Sequence, residues 1–455
     1  MARIPSQGCV IDRRPLILVA VLWPPLAFAG LSVLVVLVPW ILDPSAAVAA
    51  AAGGVMMLML AEHGWRLLRE GTRSAPEPPS ASSSPSPGIA VAAIVVVLGL
   101  WLLWGGAERL PSRLYADDLD YLNAARQPGP LLSYLFRPYN EHLCVATRAV
   151  SLLLTRVRTE QLLPCIQGVV ALLYAAVVTL LVLVALRLGQ SVWAVVGAVV
   201  FALAPAHRET LSWFSAAWWL IGPLLFLAAW LAAERRSWVG LAVASTLAAV
   251  AVLNYSVSAI GGVVLSVYLI ARDAGRCARW RLALPAVAAI GMALVVAIAI
   301  GTDVVQRADY GGRPFLSALR PGRSLQYLGS LPADVLLDRG LLGGAAMRTV
   351  PRWGRVTVGF ALVWLVWLGT HAGAQRHRSA AALGLWLMVF PYALIVPFRA
   401  WVLYADFLRW GRYHLWPMLG LSLWLGALAG AVAGRRRWGR AVVFGALVGW
   451  LVAVR

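Results

Sequence analysis

Almost end to end, this chain is divided into apolar runs about as long as a lipid bilayer is thick. A spanning helix needs ~20 mostly apolar residues. Runs of that length or somewhat shorter occur at 16–42, 46–65, 89–107, 162–186, 192–205, 215–233, 238–254, 256–271, 282–300, 356–371, 380–397, 413–433 and 441–454. Composition agrees: 61% of the 455 residues are hydrophobic and 13% are charged, about half the usual charged share of a soluble domain. A water-soluble fold of this size could not bury so much apolar surface. The sequence therefore predicts an all-α polytopic membrane protein with about 13 transmembrane helices. It excludes soluble-enzyme, DNA-binding and disordered classes. Ala27-Phe28-Ala29 looks like a signal-peptide cleavage site, but the apolar stretch continues to Ile41, which favours a span.

The net charge is +20, and all 39 basic residues are Arg. The absence of Lys, and the restriction of Asn to positions 123, 140 and 254, read as codon bias in a GC-rich genome. A pI near 11 could indicate nucleic acid, but the positions of the Arg residues indicate cytoplasmic loops and anionic lipid. With Arg3, Arg13 and Arg14 placed in the cytoplasm, alternation makes each short inner loop basic. These loops carry Arg66/Arg69/Arg73, Arg187, Arg235/Arg236, Arg272/Arg276/Arg279/Arg281, Arg376/Arg378 and Arg435/Arg436/Arg437/Arg440. Two long loops, 108–161 and 301–355, then face outward, where length exempts them from the positive-inside rule. Residues 1–70 read as an N-terminal transmembrane hairpin. Residues 71–88 read as a cytoplasmic linker, Pro- and Ser-rich over Ser74–Gly88. The main body is 89–455, without internal repeats.

Ionisable residues at membrane depth are costly and mark function. Here most acidic residues gather in outer segments. The first cluster is Asp117, Asp118 and Asp120, flanked by Tyr115 and Tyr121. Adjacent carboxylates repel, so one of them should face a cation or a polar substrate. A helix N-cap at a loop start explains the same spacing. The second cluster is Tyr139-Asn140-Glu141-His142, followed by Arg148. Between the two, Leu131–Phe136 is apolar but too short to span, which predicts interfacial helices in this first large outer loop.

A third cluster, His207-Arg208-Glu209, ends the fifth run, with Trp213, Trp218 and Trp219 behind it as an aromatic belt. The fourth comprises Arg399, Tyr404, Asp406, Arg409, Arg412, Tyr413 and His414. Asp309, Tyr310 and Arg313 add polar groups to loop 301–355. All lie on one predicted side, as a single outer site would require. Carboxylates can serve as base, Arg can hold phosphate, and aromatics can line a sugar or lipid groove. No HExxH, P-loop or GxSxG pattern occurs. Cys9, Cys144, Cys165 and Cys277 show no metal spacing and read as small buried residues, although Cys144 and Cys165 share the outer side.

An acidic pair just after an early span resembles the hallmark of the GT-C glycosyltransferase superfamily, which uses polyprenyl-phosphate-linked sugars. Pro205–Trp213 is similar to the "hPxHvEaVaW" stretch of transmembrane, tetratricopeptide-linked O-mannosyltransferases and their bacterial relatives, with His207, Glu209 and Trp213 in place. Glu141–Arg148 resembles their "HxxPLxR" segment, and Arg412–Pro417 their "RYLYLP" segment. The resemblance covers roughly 89–433. Departures are Val145 in place of Pro, two spans ahead of the acidic loop's own span, and a sequence without the repeats.

The resemblance implies a GT-C-like, all-α fold. It also implies a bacterial plasma-membrane enzyme that moves a sugar from a polyprenyl-phosphate donor to a protein, glycan or lipid acceptor on the extracytoplasmic side. Asp118 or Asp117 would be the base. Arg412 would meet the leaving phosphate, with Arg148 and Arg208 as further candidates. Asp120, Glu141, His142, His207, Glu209, Tyr404 and Tyr413 would bind substrate. Asp117, Asp118, Glu141 and His142 are eligible metal ligands, but the resembled group implies no metal or other cofactor. Competing readings are a transporter or flippase for a lipid-linked sugar, a polysaccharide polymerase or ligase, and an inactive relative.

Overall fold

A computed structural model describes residues 86–139, 142–189, 191–273, 279–300, 321–342, 347, 349–351, 354–359, 361–362, 365–366, 375–399, 403–434 and 437–454. The N-terminal hairpin 1–70, the linker as far as Pro85, Asn140, Glu141, the loop segment with Asp309, Tyr310 and Arg313, and much of the run 356–371 lie outside the described residues.

The described chain is helical, and its only backbone pairing outside helices and turns is an isolated antiparallel bridge, Tyr139 to His142. The helices are α1 (Pro87–Leu103), α2 (Ala116–Arg126), α3 (Leu131–Leu135), α4 (Val145–Leu154), α5 (Thr159–Gly189), α6 (Val195–Leu203), α7 (Arg208–Ser212), α8 (Phe214–Ala217) and α9 (Ile221–Ala233). They continue as α10 (Trp238–Asn254), α11 (Ala259–Asp273), α12 (Leu284–Ile300), α13 (Pro321–Leu331), a π-helical segment Pro332–Arg339, α14 (Gln375–Arg399), α15 (Tyr404–Arg409), α16 (Leu415–Ala433) and α17 (Arg437–Val454).

Each predicted run from 89–107 to 282–300, and from 380–397 to 441–454, falls on such a helix. Three segments are long and apolar enough to cross a membrane: Thr159–Leu188, Phe214–Ala233 and Gly411–Ala433. Val192–Leu203 and Pro205–Ser212 form a fourth candidate, bent by 41° at Ala204. Pro205 cannot donate a backbone hydrogen bond, which accounts for the break. The other apolar helices are shorter. A 17-residue helix such as α10 rises about 25 Å, against a hydrocarbon core of about 30 Å. The architecture is compatible with an α-helical membrane protein. Among the described residues, the expected 13 spans are not all present at full length.

Burial supports that class. α16 lies at the centre and packs on α14, α6, α5 and α17. Its backbone approaches α14 closely at paired glycines: a Cβ on Gly384 would lie 2.6 Å from the Gly420 carbonyl oxygen. Small residues at such contacts are how membrane helices pack without a hydrophobic driving force. Large apolar side chains, meanwhile, line the outside of α1 and α12, with Val95, Leu103, Leu294 and Ile298 all exposed. Water disfavours an apolar surface of this extent.

Ser86 caps α1 by accepting the Ile89 N–H, and Pro87 occupies the first turn. The end of the predicted linker is therefore the start of a helix. Among its described residues the predicted outer loop 108–161 contains the helices α2, α3 and α4 rather than a coil. Leu131, Leu132 and Phe136 on and beside α3 are exposed, as an interfacial helix requires. Arg272, near the end of α11, pairs with Glu234 just past α9, and the Arg distribution predicts a cytoplasmic side for both.

Candidate functional site

Five stretches, distant in sequence, converge at the predicted outer end. They are α2, the turn 139–144, α8 with the turn that follows it, the Tyr255 turn after α10, and the Gly411–His414 turn before α16. Together they line an open cavity of about 80 Å³ formed by Asp117, Tyr139, His142, Trp219, Arg412 and Tyr413, with Tyr121 and Tyr255 deeper.

The acidic pair divides its roles. Asp118 is fully buried, and both its oxygens accept backbone N–H groups: Oδ2 from Tyr115 at 3.0 Å and Oδ1 from Ser215 at 2.8 Å. As the third residue of α2 it caps that helix, and through Ser215 it fastens α2 to α8. Burial nevertheless holds its carboxyl above the ordinary Asp range, against those two hydrogen bonds. Asp118 does not line the cavity, so of the two expected bases only Asp117 faces it. Asp117 does line it, and its Oδ1 accepts the Tyr139 hydroxyl at 3.0 Å. The same hydroxyl is 3.4 Å from Asp120 Oδ2, which places Asp120 on the exposed rim. Burial, then the adjacent Asp117, raises the Tyr139 pKa, so this phenol remains a donor.

His142 enters through the Tyr139–His142 bridge, whose two hydrogen bonds measure 2.8 and 3.1 Å. Its ring packs edge-on against Trp219 and Tyr255, and Nδ1 lies 3.2 Å from the Ser256 hydroxyl. The facing wall is Arg412. Its guanidinium meets Glu209 at 3.1 Å, its backbone N–H donates to the other Glu209 oxygen at 3.3 Å, and the rings of Trp213, Trp410 and Tyr413 lie within 4.8 to 5.4 Å. Gly411 permits this approach: a Cβ there would lie 2.3 Å from the Ala206 carbonyl oxygen.

Other expected substrate ligands lie elsewhere. Glu209 holds Arg412 and does not line the cavity. His207 is buried behind it, its Nδ1 3.0 Å from the Tyr174 hydroxyl and its ring against Phe201, so it braces the bend at Ala204. Arg148 is buried between the rings of Tyr121 and Tyr134, at 5.5 and 5.2 Å. Arg208 is exposed and lines no part of the cavity. Tyr404 lines a second cavity. Glu141 lies outside the described residues. Cys144 and Cys165 form no disulfide with each other, and Cys144 is buried against the first cavity. Among the described residues no three acidic, His or Cys side chains group closely enough to hold a metal ion.

Several contributors are not legible as such in the sequence. Trp219 and Tyr255 line the cavity, whereas Trp219 reads from the sequence as an interface anchor. Asn254 accepts the Ala146 N–H at 2.7 Å and so caps α4 from another helix. Its signal is an amide ending an apolar run in a chain with so little Asn. Arg109 donates to the Leu203 carbonyl at 3.0 Å, satisfying the end of α6 where Pro205 interrupts it.

No family model, no curated protein and no solved structure matches this chain.

Proposed function

We propose that this chain is a membrane glycosyltransferase that moves a sugar from a polyprenyl-phosphate donor to an acceptor on the extracytoplasmic side, and that its 13 apolar runs cross or enter the membrane. One observation carries the reading. A carboxylate, Asp117, and a guanidinium, Arg412, share one cavity at the end of the bundle predicted to face outward, in a wall of Tyr139, His142, Trp219 and Tyr413. The first outer loop and the 205–213 and 412–417 segments, which carry the family resemblance, all contribute to it or to the groups behind it. Val145, where the resembled motif has Pro, is the first residue of α4, a position that favours Pro.

In this reading Asp117 accepts the proton of the acceptor hydroxyl as that oxygen bonds the anomeric carbon. The bond from that carbon to the phosphate oxygen breaks with inversion, and the electron pair leaves on the phosphate. Arg412 offers the leaving phosphate a charged planar donor pair. Its aromatic neighbours limit where the guanidinium can turn, and Glu209 fixes its back. The cavity is open on one side. Sugar and lipid would extend outward over Trp219 and Tyr413.

The bend at Ala204 favours a second reading, because broken spans mark transporters. That reading puts the ionisable groups to work on passage rather than on bond cleavage. The experiment that separates the two is Arg412→Gln in reconstituted protein given donor and cell-envelope acceptor. Transfer should fall about 10²–10³-fold, as when one donor to a developing anion is removed. Unchanged transfer by that variant contradicts the proposal.

A further inference from the structure

A second and larger cavity, about 400 Å³, opens at the same predicted outer end and shares no lining residue with the first. Its size is that of a small-molecule site. Four lining residues, Arg323, Gln326, Tyr327 and Ser330, come from α13. Their spacing of three, one and three places them on a single helical face. Arg355 and Tyr404 complete the polar wall, with Leu403 exposed beside them.

The wall is held from behind. Asp334 is buried and does not line the cavity. It accepts the Tyr404 hydroxyl at 2.5 Å and lies 3.7 Å from the Arg355 guanidinium. Arg355 Nε in turn donates to the Val350 carbonyl at 2.9 Å. Asp334 belongs to the π-helical segment Pro332–Arg339, a backbone form that is rare and frequent at functional sites. A buried carboxylate on an unusual turn therefore orients two side chains into a space that no carboxylate among the described residues lines. Arg323, Arg355 and Gln326 line it together with Tyr327, Ser330 and Tyr404, and the Tyr404 hydroxyl proton goes to Asp334.

We infer that this cavity is a binding site for a phosphate group, separate from the one that Arg412 meets. The N–H groups of two guanidinium ions and the Gln326 amide outnumber what the two oxygens of a carboxylate can accept, and they suit a tetrahedral phosphate. The volume beyond the phosphate takes the group it is attached to, and exposed Leu403 lies where an acyl or prenyl chain would leave. The inference does not rest on sugar transfer; it holds equally for an enzyme or a transporter.

The test uses the purified full chain with two probes. One is inorganic phosphate, titrated by calorimetry in detergent. The other is phosphatidic acid as a minor component of phosphatidylcholine nanodiscs. Arg323→Gln, on the exposed side of α13, and Arg355→Lys, which keeps charge but loses the fork, should each weaken binding about tenfold, the range of one charge-assisted hydrogen bond. Arg409→Gln, at an exposed outer arginine, should not. Binding of both probes identifies a phosphate reachable from water. Binding of phosphatidic acid alone identifies a lipid headgroup. Either result, with loss in the two variants, supports the site. Wild-type affinity in both variants, or no binding of either probe by the wild type, overturns it. Circular dichroism and elution volume show that each variant has folded.

Discussion

Replacing each of the neighbouring aspartates separately should give opposite phenotypes. Asp117→Asn keeps an oxygen to accept the Tyr139 hydroxyl, now 3.0 Å away, and the site is part-exposed, so stability should change by no more than about 0.5 kcal/mol. The variant lacks a base. General-base catalysis contributes about 10²–10⁴-fold, so turnover should fall by that factor, equivalent to about 2.7–5.4 kcal/mol of barrier.

Asp118→Ala does the reverse. It orphans the buried Ser215 N–H, at about 1–3 kcal/mol, and the part-buried Tyr115 N–H, at less. Relief of the buried carboxylate offsets part of that, leaving a net loss of about 2 kcal/mol. Turnover per folded molecule should fall less than in Asp117→Asn, because Asp118 does not line the cavity. The assay is release of polyprenyl phosphate from a polyprenyl-phosphate sugar in proteoliposomes, alongside denaturation midpoints in detergent. Wild-type turnover by Asp117→Asn, or an unchanged midpoint in Asp118→Ala, would refute the division of roles.

Three further outcomes follow from the same geometry. Because burial raises the folded-state pKa of Asp118 above its unfolded value near 3.9, its stabilisation is fully present below that value and declines as pH rises through the shifted one. The stability gap between wild type and Asp118→Ala should therefore narrow from pH 4 to pH 7, and a gap that widens contradicts the assignment. Gly411→Ala places a Cβ 2.3 Å from the Ala206 carbonyl oxygen. It should cost about 1–3 kcal/mol and lower transfer by displacing Arg412; equal midpoints and activities would count against the close approach. Asn254→Leu leaves the Ala146 N–H without its cap. It should cost about 1 kcal/mol and speed amide hydrogen exchange at the start of α4 but not in α5.

Much of the helical layout is legible in the sequence because hydrophobic run length reports directly on helices in an apolar solvent. The run 238–254 coincides with α10 residue for residue. Whether each run is long enough to cross is a different matter: polar capping and breaks such as Ala204-Pro205 shorten helices that composition alone extends. α4 is hard to read because its cap comes from Asn254, 108 positions away. That Asp117, Tyr139, His142 and Arg412 fall at one end of the bundle is legible from charge placement and alternation, while other members of the same clusters lie elsewhere. Which aspartate faces the cavity is not, since that depends on a backbone donor at Ser215. His207 and Arg148 carry the right residue types for ligands, yet tertiary packing gives them Tyr174 and the Tyr121–Tyr134 pair as partners. Asp334 and Arg355 give no sequence signal, because their pairing depends on a π-helical turn that no spacing rule announces.

The central claim is that the outer cavity breaks a sugar–phosphate bond. Purified chain in proteoliposomes, supplied with a radiolabelled polyprenyl-phosphate sugar and envelope acceptor, tests it most directly. The account predicts transferred sugar and free polyprenyl phosphate in equal amounts, both lost in Asp117→Asn. Donor that moves between leaflets intact, with no polyprenyl phosphate released, would contradict it.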